Sequence, residues 1–111
     1  MNAATAPGLI ALALDIAARH PAFAGHFPGQ PVLPGVVLLA EVLEAVLNRP
    51  DLAAALGSQP VFSAVKFVSP VGPGSRLRIS LHTSPGGMRF ELHDQDMLVA
   101  QGRLSPGLPA A

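Results

Sequence analysis

Between Pro34 and Pro50 runs GVVLLAEVLEAVLN, residues 35–48, with no helix breaker inside it. Proline suits a first helical turn, where its missing N–H costs nothing, and at position 50 it stops the helix from continuing. Within the stretch only Glu41, Glu44 and Asn48 are polar. A helix with so narrow a polar stripe must be covered on most sides. Any fold open to this chain has to wrap one long helix in its other elements.

Segments with a two-residue period supply that cover. From 10 to 17, Ile10, Leu12, Leu14 and Ile16 alternate with Ala11, Ala13, Asp15 and Ala17, the pattern of a half-buried strand. VFSAVKFV (61–68) predicts a second strand, followed by the turn-rich SPVGPG. SRLRISLHT (75–83) places Leu77, Ile79 and Leu81 on one face and Arg76, Arg78, Ser80 and His82 on the other. SPGG (84–87) reads as a hairpin turn, and MRFELH and MLVAQGRL give two more strands. Residues 51–59 predict a short helical turn and a connection, and 19–34 a loop. Residues 1–7 and 105–111 read as frayed tails. The expected fold is one α+β domain, an antiparallel sheet wrapped around one central helix.

Half of the 111 residues are hydrophobic and 13% are charged. So short a chain leaves much of its surface exposed, so this composition points to a second copy covering part of the apolar surface. Seven basic and seven acidic residues balance, and no basic block or Trp or Tyr is present, which argues against nucleic acid. Cysteine is absent, and no paired His spacing suggests a metal site. Residues 8–18 are apolar but interrupted by Asp15, too short for a membrane span and without a basic leader. A cytoplasmic protein is the expectation.

The loop before the helix, GHFPGQPVLPG (25–35), packs three prolines and three glycines around His26. Pro28, Pro31 and Pro34 stiffen it, and the glycines let backbone approach a ligand. GHFPGQPVLPGVVLL resembles the signature of the hot-dog-fold 3-hydroxyacyl-[acyl-carrier-protein] dehydratases, and VKFVSPVGPGSRL (65–77) is similar to that family's next strand and turn. The resemblance covers roughly residues 8–104. The family's usual N-terminal helix and first strand have no counterpart, as in small stand-alone dehydratases of polyene and polyketide pathways. The resemblance implies a hot-dog fold, a dimer with shared sites, no cofactor, and an acyl-carrier-protein or CoA thioester substrate. It makes His26 the base that takes the C2 proton. It makes the Gly35 N–H the donor to the developing enolate oxygen, at a helix start suited to negative charge. Phe27, Pro28, Gly29, Val32, Leu33 and Pro34 would form or support the acyl tunnel.

The family's helix carboxylate, fourteen residues after the histidine, falls here on Ala40. Glu44 stands where the family commonly has glutamine, and Glu41 directly follows Ala40. At about 100° per residue, Glu44 shares the face of Ala40 one turn along, while Glu41 is turned a quarter of the way round. Glu44, Glu41 or no residue then supplies the acid, and the polar stripe is also what a solvated helix face looks like. His20, His82 and His93 read as surface residues. Asp94 and Asp96 read as turn chemistry. Lys66 either attracts a phosphopantetheine phosphate or keeps a strand edge soluble. Two other readings compete with the dehydratase: a hot-dog thioesterase using Glu41 or Glu44, and a non-catalytic acyl-binding subunit paired with an active paralogue.

Overall fold

Alternation along the strands and the proline-bounded helix set the architecture seen in the computed structural model, which describes residues 8–24 and 31–107. Strand β1 (Leu9–Asp15) leads to a 3₁₀ turn (Pro21–Phe23), then to helices α1 (Gly35–Leu47) and α2 (Pro50–Leu56). Strands β2 (Pro60–Phe67), β3 (Arg76–Ser84), β4 (Gly87–Asp94) and β5 (Met97–Pro106) follow. They form one five-stranded sheet in the order β1-β3-β4-β5-β2, with every pairing antiparallel. Among the described residues no helix is long and apolar enough to cross a membrane.

The inward face of the sheet carries Leu77, Ile79 and Leu81 from β3, Met88, Phe90 and Leu92 from β4, and Leu104 from β5, all buried. They share one core with Leu38, Val42 and Val46 of α1 and with Leu52 and Leu56 of α2. Each such side chain stabilises the fold by about 1.5–3 kcal/mol relative to exposure. Phe90 meets the edge of Phe62 with ring centroids 5.7 Å apart. A Cβ on Gly102 would lie 2.9 Å from the Phe90 ring and 3.0 Å from Val65 Cγ2, so the core closes over a missing side chain.

The structure departs from the sequence expectation at several element ends. The first strand stops at Asp15, although Ile16 is buried and its N–H still donates to Ser75 O at 2.8 Å. The short helical turn and connection expected over 51–59 form as α2 and the segment after it, the helix starting one residue earlier, at Pro50, and closing at Gly57, where φ is +71°. Ser105 and Pro106, expected in a frayed tail, belong to β5 because they pair with Val61 and Pro60 of β2. The hairpin expected at 84–87 forms, with Ser84 opposite Gly87 and Gly86 at φ +90°. In β2, Ala64 (φ +52°) and Val65 form a bulge between Ser63 and Lys66, which pair with Arg103 and Gln101. His26, Phe27, Pro28 and Gly29, and the expected tails at 1–7 and 108–111, lie outside the described residues.

Candidate active site

The start of α1 opens onto an apolar cavity of about 440 Å³ lined by Val32, Leu33, Gly35, Leu38 and residues 67–71. Its wall is pinned by backbone bonds. Leu33 N–H donates to Val71 O at 2.8 Å, and Val68 N–H donates to Val99 O at 2.8 Å. Ser69 adds a side-chain bond from Oγ to Leu98 O at 3.0 Å. The Phe67 ring lies over Gly35 so closely that a Cβ there would stand 2.7 Å from Cζ. Pro34, the residue preceding the helix, makes no side-chain cap, and the first turn holds no acidic residue. The Gly35 N–H is therefore an uncapped helix-start donor with no partner among the described residues. Val32, Leu33 and Gly35, expected at the acyl site, are thus brought together, with Pro34 between them in sequence. The sequence alone does not single out Phe67 and Val71; its one signal for them is the aromatic and Pro-Val of VKFVSPV.

The two candidate acids have different surroundings. Val36, Ala40, Glu44 and Asn48 are all exposed, a stripe at four-residue spacing along α1. Glu44 lies on that stripe and lines a second hollow of about 210 Å³ with Ala13, Leu14, Asp15, Glu41, Ala45 and Asn48. Glu41 turns away from the stripe. Its Oε1 sits 2.7 Å from His20 Nε2. His20 Nδ1 accepts the Ala22 N–H at 3.1 Å, capping the 3₁₀ turn, so Nε2 carries the proton and donates to Glu41. His20 is therefore a half-buried connector between this turn and α1 rather than a surface residue. Both of its ring nitrogens are engaged, so it offers no lone pair for base chemistry.

The family model described as ApeI-like, ApeI dehydratase, matches residues 3–103. This chain belongs to the ApeI-like dehydratase family. Among relatives of this ApeI-like chain, the 3-hydroxyacyl-[acyl-carrier-protein] dehydratase FabZ of Symbiobacterium thermophilum is 35% identical over 74 residues, covering 60% of this chain and 50% of its own. FabZ of Chlamydia trachomatis is 36% identical over 106 residues, covering 82% of this chain and 67% of its own. The chain thus spans half to two-thirds of the length of these curated relatives. The solved dehydratase heterocomplex ApeI:P from Xenorhabdus doucetiae superposes with a TM-score of 0.68 at 25% identity, over 91% of this chain and 88% of that one. The antiparallel sheet around α1 is accordingly a hot-dog fold.

Other polar groups in the ApeI-like chain stand apart from the cavity. His82 Nε2 is 3.8 Å from Glu91 Oε1 on the outer sheet face. His93, expected to be solvated, is half-buried, and its Nδ1 is sealed from solvent with no partner among the described residues. His93 lies opposite Arg78 of β3 and Leu98 of β5, beside a register shift that leaves Val99 of β5 unpaired. No group of three His, Asp or Glu side chains among the described residues is placed to hold a metal. Lys66 is exposed on the edge strand β2, opposite Gln101.

Proposed function

We propose that this chain dehydrates 3-hydroxyacyl thioesters, carried on acyl-carrier protein or CoA, to trans-2-enoyl thioesters. The observation that carries the reading is the apolar cavity at the uncapped start of α1, which in sequence closely follows His26. An acyl chain fits a cavity walled by Val32, Leu33, Leu38, Phe67 and Val71. His26 takes the C2 proton, and the electron pair moves onto the thioester oxygen, which accepts from the Gly35 N–H. Collapse of the enolate forms the C2–C3 double bond and expels the C3 hydroxyl, which leaves as water after taking a proton from the acid. Glu44 is the better acid, because Glu41 is held by His20. Nine residues of helix separate Gly35 from Glu44, about 13.5 Å at 1.5 Å per residue. One chain therefore does not bring the two to one substrate carbon.

A homodimer resolves this separation, each His26 and Gly35 working with the Glu44 region of the other chain. Val36 (77% exposed), Phe67 (49%) and Val68 (50%) form an apolar surface beside the cavity that a second copy would cover. Such thioester chemistry belongs in the cytoplasm. A second reading, an acyl-binding subunit that pairs with an active paralogue, is favoured by Ala40 and by the heterocomplex formed by the Xenorhabdus relative. Incubating the purified chain with a 3-hydroxyacyl thioester separates the possibilities by mass. Loss of water supports the dehydratase, release of thiol indicates a thioesterase, and an unchanged substrate leaves the binding subunit. His26→Ala should lower dehydration by about 10²–10⁴.

A further inference from the structure

The outer face of the sheet is chemically unlike the rest of the chain. Strand register places His82, Arg89, Arg103 and Ser63 in one row across β3, β4, β5 and β2. The neighbouring row is Ser80, Glu91, Gln101 and Lys66. These residues alternate with the buried Leu81, Phe90, Leu92 and Leu104, so they face away from α1. Of the seven Lys and Arg residues, five (Lys66, Arg76, Arg78, Arg89 and Arg103) lie on strands with this outward alternation, against the carboxylates of Asp15 and Glu91. A chain of zero net charge thus presents a basic sheet face.

Arg89 and Arg103 are directly opposed and both exposed. Like charges in that position, with Cβ atoms about 4.5–5.5 Å apart, repel and weaken the strand pairing. Among the described residues no carboxylate forms an ion pair with either guanidinium; Glu91 approaches His82 instead. A hollow of about 250 Å³ is lined by Ala64, Arg89, Gln101, Gly102 and Arg103. Ala64, at the bulge of β2, has a side chain too short to fill it, and the Gly102 backbone forms part of its floor. The Gln101 amide adds a further donor at its wall.

We propose that this hollow is an oxyanion site that takes a phosphoryl group between Arg89 and Arg103. Two guanidinium forks match the geometry of phosphoryl oxygens, each with paired N–H donors. Binding converts one repulsive contact into two charge-assisted attractions, so the occupied sheet is more stable than the empty one. The site lies on the face of the sheet turned away from the acyl cavity and is independent of the proposed reaction. Inorganic phosphate and a nucleotide phosphate share the required chemistry.

The test titrates the full chain with sodium phosphate, and separately with sodium chloride at matched ionic strength. It follows the arginine Nε–H signals by NMR and the Tm. Saturable shifts confined to Arg89 and Arg103, with a rise in Tm specific to phosphate, are expected. Arg89→Gln and Arg103→Gln should each weaken phosphate by about tenfold or more, and Arg103→Lys by less, because it keeps the charge and loses the fork. Without ligand both glutamine variants should be at least as stable as the parent, since they relieve repulsion, so lost binding is not lost folding. Adenosine 3′,5′-bisphosphate binding far more tightly than phosphate would identify a nucleotide as the source, and equal binding a lone phosphoryl group. Equal responses to phosphate and chloride, or unchanged phosphate affinity in both glutamine variants, overturn the proposal.

Discussion

Replacing Gly35 with alanine tests whether the Phe67 ring closes the acyl cavity against the start of α1. The new Cβ would stand 2.7, 2.9 and 3.0 Å from Phe67 Cζ, Cε2 and Cε1, too near for the ring to stay. Phe67 is 49% exposed, so it has solvent to swing into. Losing the buried half of the ring removes roughly 100 Å² of contact, about 2.5 kcal/mol at the usual apolar coefficient and an upper limit, because some contact will re-form. Alanine returns up to about 1 kcal/mol over glycine in a helix, less in the first turn. Gly35→Ala should therefore cost about 1–2 kcal/mol. In a Phe67→Ala background the clash is gone and only the helix gain remains, so the same change should stabilise by about 0.5–1 kcal/mol. The coupling between the two positions is then about 2 kcal/mol, well above the error of additive sites. Urea unfolding of the four proteins at one fixed protein concentration measures it. If Gly35→Ala shifts the midpoint equally in both backgrounds, the ring does not rest on Gly35 and the cavity wall is wrongly drawn.

Other positions give shorter tests. Glu44→Gln should abolish water loss while Glu41→Gln leaves most of it, and Ala40→Glu added to Glu44→Gln should restore turnover; the reverse ranking in a thioester assay would make Glu41 the acid. Gly102→Ala drives a methyl into Phe90 and Val65 and should lower stability by about 1–3 kcal/mol in the same urea assay. The hydrogen bond from the Arg49 side chain holds the Asp51 carboxyl below its ordinary range. Its small contribution to the first turn of α2 is present above the usual carboxylate pKa and fades as pH falls through the lowered value; the Asp51 carboxyl shift followed by NMR, compared with Arg49→Gln, should show that lowering vanish. Light scattering at micromolar concentration should find a dimer, and a stable monomer would remove the shared site.

Much of this fold is written in local pattern. Pro34 and Pro50 mark where α1 can begin and where it cannot continue, and Leu77, Ile79 and Leu81 show the buried side of β3. Strand order is not local. Leu9 pairs with His82, while β2 reaches the far edge beside β5, and no periodicity states either partner. The continuation of β5 through Pro106 depends on β2 being there to receive it. Of the nine residues lining the cavity, the family resemblance points to three, Val32, Leu33 and Gly35, whereas Phe67 reaches Gly35 only through packing, which no local pattern states.

The two carboxylates of α1 show where sequence reasoning reaches its end. Helix phase alone separates Glu44, on the face of Ala40, from Glu41, a quarter-turn away. Exposure of Val36, Ala40, Glu44 and Asn48 bears that phase out. Phase says nothing about what waits at the quarter-turn. There His20, twenty-one residues earlier, is fixed as an acceptor by the Ala22 N–H and left with one proton to donate, and Glu41 takes it. One carboxylate thereby ties α1 to the turn that precedes residues 25–30, and the other, on an open face, has no partner among the described residues. A chemical role for Glu44 rests on that division of labour. If Glu41 were released by His20→Ala, two free acids would stand within one turn of Ala40, and the preference for Glu44 in dehydration should narrow.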